Sequence, residues 1–174
     1  MGASGNITTP FRAATRDDTL LILEFIKGLA EYEKMLAEVT ATPELLEYWL
    51  FDEQAAEVLF AIADGKEVGF ALYFNNFSTF LGKAGLYLED IFVIPQYRGR
   101  GIGKALFAEL ARIAVERGYG RFEWACLDWN EPSIEFYRLI HAVDMSEWTI
   151  YRLTGDALMK LAEAGNGSRN SWGL

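Results

Sequence analysis

The sequence predicts a single α/β domain built on a mixed sheet. Three observations carry that expectation. Apolar runs of strand length alternate with segments of helical periodicity, Asp64-Gly65 joins two apolar runs as a hairpin, and a glycine-rich turn links an apolar strand to an amphipathic helix. With 174 residues, half of them apolar, the chain is long enough to bury one proper core.

Residues 10–14 read as a short first strand, and Thr15 to Asp18 as a capping-box start to a helix running to about Met35. Thr42-Pro43 opens a second helix, with Leu45, Leu46, Trp49 and Leu50 expected to face inward. Glu57 to Ala63, the Asp64-Gly65 turn and Val68 to Phe74 form the hairpin. A strand over 85–93 follows, stopped by Pro95. The next helix places Ile102, Leu106, Leu110, Ile113 and Ala114 on one stripe, and Gly118 suits its C-terminal end. Arg121 to Leu127 is the next strand. Asn130 and Pro132 start a helix over about 131–140, Trp148 to Leu153 is a further strand, and Thr154 to Ala162 is a closing helix. The domain is expected to span 10–163, with 1–9 and 164–174 as flexible termini.

Composition narrows the function classes. A net charge of −9 argues against non-specific nucleic-acid binding and suits a cationic substrate. No run of about 18 apolar residues occurs, so no transmembrane helix is expected. The lone cysteine excludes an internal disulfide and suits a reducing cytoplasm. One His and one Cys leave no sensible zinc site, and a nucleophilic triad would have to use His141, with Cys126 expected in an apolar strand as a small core residue.

The segment from Gln96 to Lys104 carries the strongest chemical signal. Gly99, Gly101 and Gly103 leave backbone N–H groups unshielded, a helix N-terminus adds partial positive charge, and Arg98, Arg100 and Lys104 add formal charge. A diphosphate fits such a site. Ala105 after Gly103-Lys104 denies the Ser or Thr that a P-loop needs, and neither glycine register fits a dinucleotide fingerprint. What remains is Arg98-x-x-Gly101-x-Gly103, which resembles the pyrophosphate loop of the GNAT N-acetyltransferases. Three further segments, 29–35, 87–93 and 127–137, resemble the diamine (spermidine/spermine) and thialysine N-acetyltransferase branch, and the likeness covers about residues 11–162.

That resemblance implies the GNAT fold, a mostly antiparallel central sheet flanked by helices. It also implies transfer of an acetyl group from acetyl-CoA to a primary amine of a small molecule, a polyamine or lysine-like amine, by direct attack in a ternary complex. Glu89 would hold the amine and accept its proton through a water; strand alternation sends Asp90 to the opposite face unless a bulge intervenes. Tyr137 would protonate the leaving thiolate, or else simply pack against Phe136. Ile91, Phe92 and Val93 would pair with the pantetheine arm, and Gly99 to Lys104, including Ile102, would hold the pyrophosphate. Asn130 would touch the coenzyme arm, cap its helix, or both, with Pro132 and Ser133 at the same helix start. Tyr32, Glu33 and Glu147 match the acceptor side, although Glu31, Glu33 and Glu38 also read as a solvated helix end.

Two departures stand out. His141-Ala142 occupies the place of a usual Gly-Ala, where glycine would accommodate a positive φ. The 143–147 segment is also shorter than in diamine enzymes, which leaves the acceptor amine open. No metal is needed for this chemistry. The branch implies a homodimer, for which Phe74, Phe77 and Phe80 offer either an interface or a core edge. A protein lysine or N-terminal acetyltransferase, or a non-catalytic acyl-CoA-binding module, are the competing functions on this fold.

Overall fold

The computed structural model describes residues 9–167; of the flexible ends expected at 1–9 and 164–174, residues 1–8 and 168–174 lie outside the described residues, and 164–167 are helical. Contacts group the chain into two compact units, divided between Ala125 and Cys126.

The first unit holds the whole sheet. Its strands are β1 (Phe11–Ala13), β2 (Glu57–Ala63), β3 (Lys66–Ser78), β4 (Lys83–Val93) and β5 (Phe122–Trp124). They lie in the order β1-β2-β3-β4-β5, antiparallel except for the parallel β4–β5 pair. The mixed, mostly antiparallel sheet is therefore as expected. Asp64 (φ 51°) and Gly65 (φ 71°) both adopt positive φ, the backbone of a type I′ hairpin turn.

Helices α1 (Thr19–Tyr32) and α3 (Ile102–Glu116) cover opposite faces. Ile22 and Phe25 of α1 pack with Val58, Phe60, Phe70 and Phe92 in one core cluster. The Phe25 ring stacks on Phe70 at 5.2 Å between centroids. Gly69 neighbours Phe70 and faces the other way, where a Cβ would meet Leu106 of α3 at 3.3 Å. The Arg12 guanidinium on β1 binds Asp18 before α1 at 2.7 Å and Glu67 at the start of β3 at 2.8 Å, and holds both carboxyls below their usual range.

Several element expectations need correction. Helix α1 ends at Tyr32, not near Met35, because Lys34 turns left-handed (φ 62°). Helix α2 (Pro43–Glu47) starts as expected, with Thr42 Oγ1 accepting from the Leu45 N–H at 3.3 Å. It then widens into a π-helical turn over Tyr48–Asp52. The inward stripe is narrower than expected: Leu46 and Leu50, four apart, lie on the inner side, while Leu45 and Trp49, also four apart, face outward.

The second unit contains α4 (Glu131–Leu139) and α5 (Gly155–Gly167). Residues 148–153 form no strand: the run has strand propensity, but a strand exists only by pairing, and no described strand pairs with it. Trp148, Ile150 and Tyr151 are exposed there. Helix α5 continues past the expected stop at Ala162, through the helix formers Glu163 and Ala164. Cys126 lies beyond the end of β5 and is half-buried.

Candidate active site

The site is organised by one irregularity in β4. Leu72 pairs with Asp90, yet the next residue of β3, Tyr73, pairs with Leu88. Glu89 is therefore an extra residue, a β-bulge. The bulge inverts the alternation. Below it Leu86 and Leu88 are buried opposite Asn75 and Tyr73; above it Asp90 and Phe92 sit opposite Leu72 and Phe70, on the α1 face. Glu89 itself is exposed.

Three carboxylates meet here. Burial, then the like charges of Glu89 and Glu33, push the Asp90 carboxyl up to about 6. Burial also raises the Glu33 carboxyl. Glu33 is the C-cap of α1, directly after Tyr32. The alternation expected for an uninterrupted strand, with Asp90 turned away from the site, is thus corrected by the bulge. Asp90 joins Glu33 and Glu89, a grouping that sequence reasoning missed because only the β3 register reveals it.

The upper edge of β4 is open. β5 pairs with β4 only from Leu86 to Leu88, and no described strand pairs with that side of residues 89–93. The Ile94 N–H donates to the Val68 carbonyl on β3 at 3.0 Å. By alternation, the N–H and C=O groups of Ile91 and Val93 point away from β3, toward that open edge. An extended, amide-bearing ligand has there a ready row of partners.

Beyond Val93, a short 3₁₀ turn (Pro95–Tyr97) leads into the glycine loop. Gly99 (φ 73°) and Gly101 (φ 81°) both adopt left-handed conformations, and Gly101 is the N-cap of α3. Nothing lies within 4 Å of where their Cβ atoms would be, so the loop backbone is open to a guest. Ile102 is buried and anchors the helix start, while Gly103 and the exposed Lys104 occupy its first turn. The Arg100 guanidinium stacks on Tyr97 at 4.6 Å, and the Tyr97 hydroxyl donates to Asp64 at 3.1 Å. The loop thus combines a helix N-terminus, exposed N–H groups and cations, the donor set of a diphosphate site.

A cleft of about 650 Å³ lies between α1 and the end of β4, lined by Phe25, Gly28, Tyr32, Phe92, Ile94 and Arg98 among others. Gly28 lets α1 approach: a Cβ there would meet the Phe92 ring at 3.0 Å. Arg98 lies across Tyr32 and Phe92, its guanidinium carbon 4.6 Å and 5.1 Å from the two ring centres.

In the second unit, Tyr137 sits on α4 near Ser133 and Cys126. Burial pushes its phenol up to about 12, the neighbouring Cys126 adds to the rise, and Ser133 offsets part of it. Tyr137 is thus a protonated donor at neutral pH. Asn130 occupies the N-cap position of α4, but its side chain makes no capping bond. Its Oδ1 is buried without a hydrogen-bond partner among the described residues. Pro132 stands in the first turn, and Glu147 is exposed in a later turn of the same unit. Among the described residues no group of three or more His, Cys, Asp or Glu could hold a metal, and no helix is long and apolar enough to cross a membrane.

Residues 24–141 match the model of the acetyltransferase (GNAT) family. The chain belongs to the GNAT family. It is an acetyl-CoA-dependent N-acetyltransferase, nearest to the thialysine and spermidine/spermine branch. This GNAT chain is 37% identical to a thialysine N-epsilon-acetyltransferase of Sus scrofa, over 87% of the chain and 95% of the relative. It is 47% identical to an L-ornithine N5-acetyltransferase of Arabidopsis thaliana, over 53% of the chain and 41% of the relative. Among solved structures it resembles an integron cassette protein from V. cholerae, with a TM-score of 0.74 at 29% identity, covering 91% of this chain and 99% of that one.

Proposed function

We propose that this enzyme acetylates a small cationic amine, a polyamine or lysine-like amine, by direct attack on acetyl-CoA in a ternary complex. The observation that carries the acceptor class is the meeting of Glu33, Glu89 and Asp90 at the end of α1. Three carboxylates favour an ammonium-bearing guest. Similar proteins are named as acetyltransferases of thialysine and of ornithine, which supports the same class.

The pantetheine arm would lie along the open edge of β4 at Ile91, Phe92 and Val93, and one edge N–H would polarise the thioester oxygen. Arg98 to Lys104 would hold the pyrophosphate, with Asn130, Pro132 and Ser133 contacting the coenzyme. Glu89 would accept the amine proton through a water, the neutral amine would attack the thioester carbon, and Tyr137 would protonate the departing thiolate. Glu147 is a further acceptor-side candidate, supported by resemblance alone. The chemistry requires no metal. We assign the chain to the cytoplasm, as a homodimer without nucleic-acid or membrane partners. The lone cysteine, the net charge of −9 and the exposed Phe77 and Phe80 support this.

The test is coenzyme A release from acetyl-CoA across spermidine, putrescine, lysine, thialysine, ornithine and a lysine peptide. Turnover is expected on at least one small amine. Tyr137→Phe and Glu89→Gln should each lose about 10²–10⁴-fold in rate. Turnover on the peptide alone would replace the small-amine reading with protein acetylation.

A further inference from the structure

Tyr73 stands where the register of β3 against β4 breaks: Leu72 before it pairs with Asp90, and Tyr73 itself pairs with Leu88. By alternation its side chain shares the α3 face with Gly69 and Ala71, beside the buried Leu88. On its other side it pairs with Glu57, the first residue of β2. The Tyr73 hydroxyl donates to Glu57 Oε2 at 3.2 Å. Arg117, the C-cap of α3, grips both oxygens of the same carboxylate, with Nη2 at 2.7 Å from Oε2 and Nη1 on Oε1. Its guanidinium carbon lies 6.0 Å from the centre of the Tyr73 ring. The Arg117 pairing holds the Glu57 carboxyl below its usual range, and burial pushes the Tyr73 phenol up to about 12. At neutral pH an ionised acceptor therefore faces a protonated donor, a charge-assisted bond that fixes the ring in one orientation.

We propose that Tyr73 is a positioning residue for Glu89, anchored by Glu57 and Arg117 so that the bulge in β4 stays at one place. This rests on the proposed role of Glu89 as acceptor of the amine proton. A bulge adds one residue against a partner strand, and the ladder alone does not say which residue is the extra one. Below the break Tyr73 makes the choice. Its ring, tethered at the far end, lies next to the Leu88 side chain, so Leu88 stays in the pair and Glu89 is left over. Above the break, Phe70 and Phe92 pair within the α1 core and hold their register. Without the tether the extra residue is free to pass to Leu88, which turns the Glu89 carboxylate out of line. The donor edge at Ile91 to Val93 pairs with Gly69 to Ala71, above the break, and keeps its geometry. The effect thus falls on proton acceptance at Glu89 and spares donor binding.

The test is a double-mutant cycle on steady-state coenzyme A release. The acceptor is whichever of spermidine, putrescine, lysine, thialysine, ornithine or the lysine peptide the unsubstituted chain turns over fastest. Tyr73→Phe removes the hydroxyl and keeps the ring. Arg117→Gln, at an exposed position, removes the grip on Glu57 and decides the matter if Tyr73→Phe folds poorly. Each is expected to lower kcat roughly three- to tenfold, with the KM for acetyl-CoA within about twofold of the parent. In the Glu89→Gln background the same substitutions should change kcat by less than about twofold, because the group they position is gone. An equal loss in both backgrounds would overturn the positioning role and leave the part of Glu89 intact. So would a parental kcat in Tyr73→Phe and Arg117→Gln while Glu89→Gln is slow. A parental rate in Glu89→Gln, or no turnover by the unsubstituted chain on any of these acceptors, would overturn the reading of Glu89 and this inference with it.

Discussion

Asp90 has a carboxyl pushed up to about 6 because the bulge turns it into a poorly solvated place facing Glu33 and Glu89. Two consequences of opposite kind follow. For a cationic acceptor, the ionised form attracts, so Asp90 should contribute to kcat/KM above about pH 6 and cease to below it. Asp90→Asn should lower kcat/KM about tenfold at pH 8 and much less at pH 5, read from paired pH profiles. For stability the sign reverses. A carboxyl raised in the folded state binds its proton more tightly there than in the unfolded chain. Its contribution is fully present below the unfolded pKa near 4 and is lost as pH rises through about 6. Asp90→Asn should therefore gain roughly 1–3 kcal/mol relative to the parent between pH 5 and pH 8, measured by denaturant unfolding at each pH.

Helix α4 ends in a Schellman turn: the His141 N–H donates to the Arg138 carbonyl, and the Ala142 N–H to the Tyr137 carbonyl, both at 3.0 Å. His141 holds the left-handed position with φ 60°, where its Cβ is strained. His141→Gly should raise unfolding stability by about 0.5–1 kcal/mol, seen as a higher denaturant midpoint with unchanged slope. This strain was legible in the sequence, as was the stop of α3, where Gly118 (φ 70°) closes the same turn. Caps, glycine turns and helix stripes are local, and so was the whole Gln96–Lys104 loop. The bulge was not, because the run Leu86 to Val93 shows no clean alternation and reveals its extra residue only against β3. Nor was the bond from the Arg98 Nε to the Val93 carbonyl, which depends on how the 3₁₀ turn folds the side chain back along its own strand. The run 148–153 erred the other way. Its residue types suit a strand, but pairing is decided elsewhere in the chain.

For the whole molecule, Phe74 is accounted for by its contact with Tyr87 at 5.1 Å between rings, whereas Phe77, Phe80 and Leu81 are exposed around the β3–β4 turn. Light scattering after size exclusion should give twice the 19.6 kDa chain mass, and a Phe77→Ser, Phe80→Ser double variant should shift the mass toward the monomer. A monomer of the unsubstituted chain would remove the dimer from the proposal. The sheet that carries this turn keeps a regular beat on both sides of position 89. Strike Glu89 out and β4 matches β3 one for one, with Leu86, Leu88, Ile91 and Val93 falling on one side and Tyr87, Asp90 and Phe92 on the other. Glu89 is a syllable outside the metre. No core neighbour dictates its size or polarity, so the fold leaves this one letter to be chosen by chemistry.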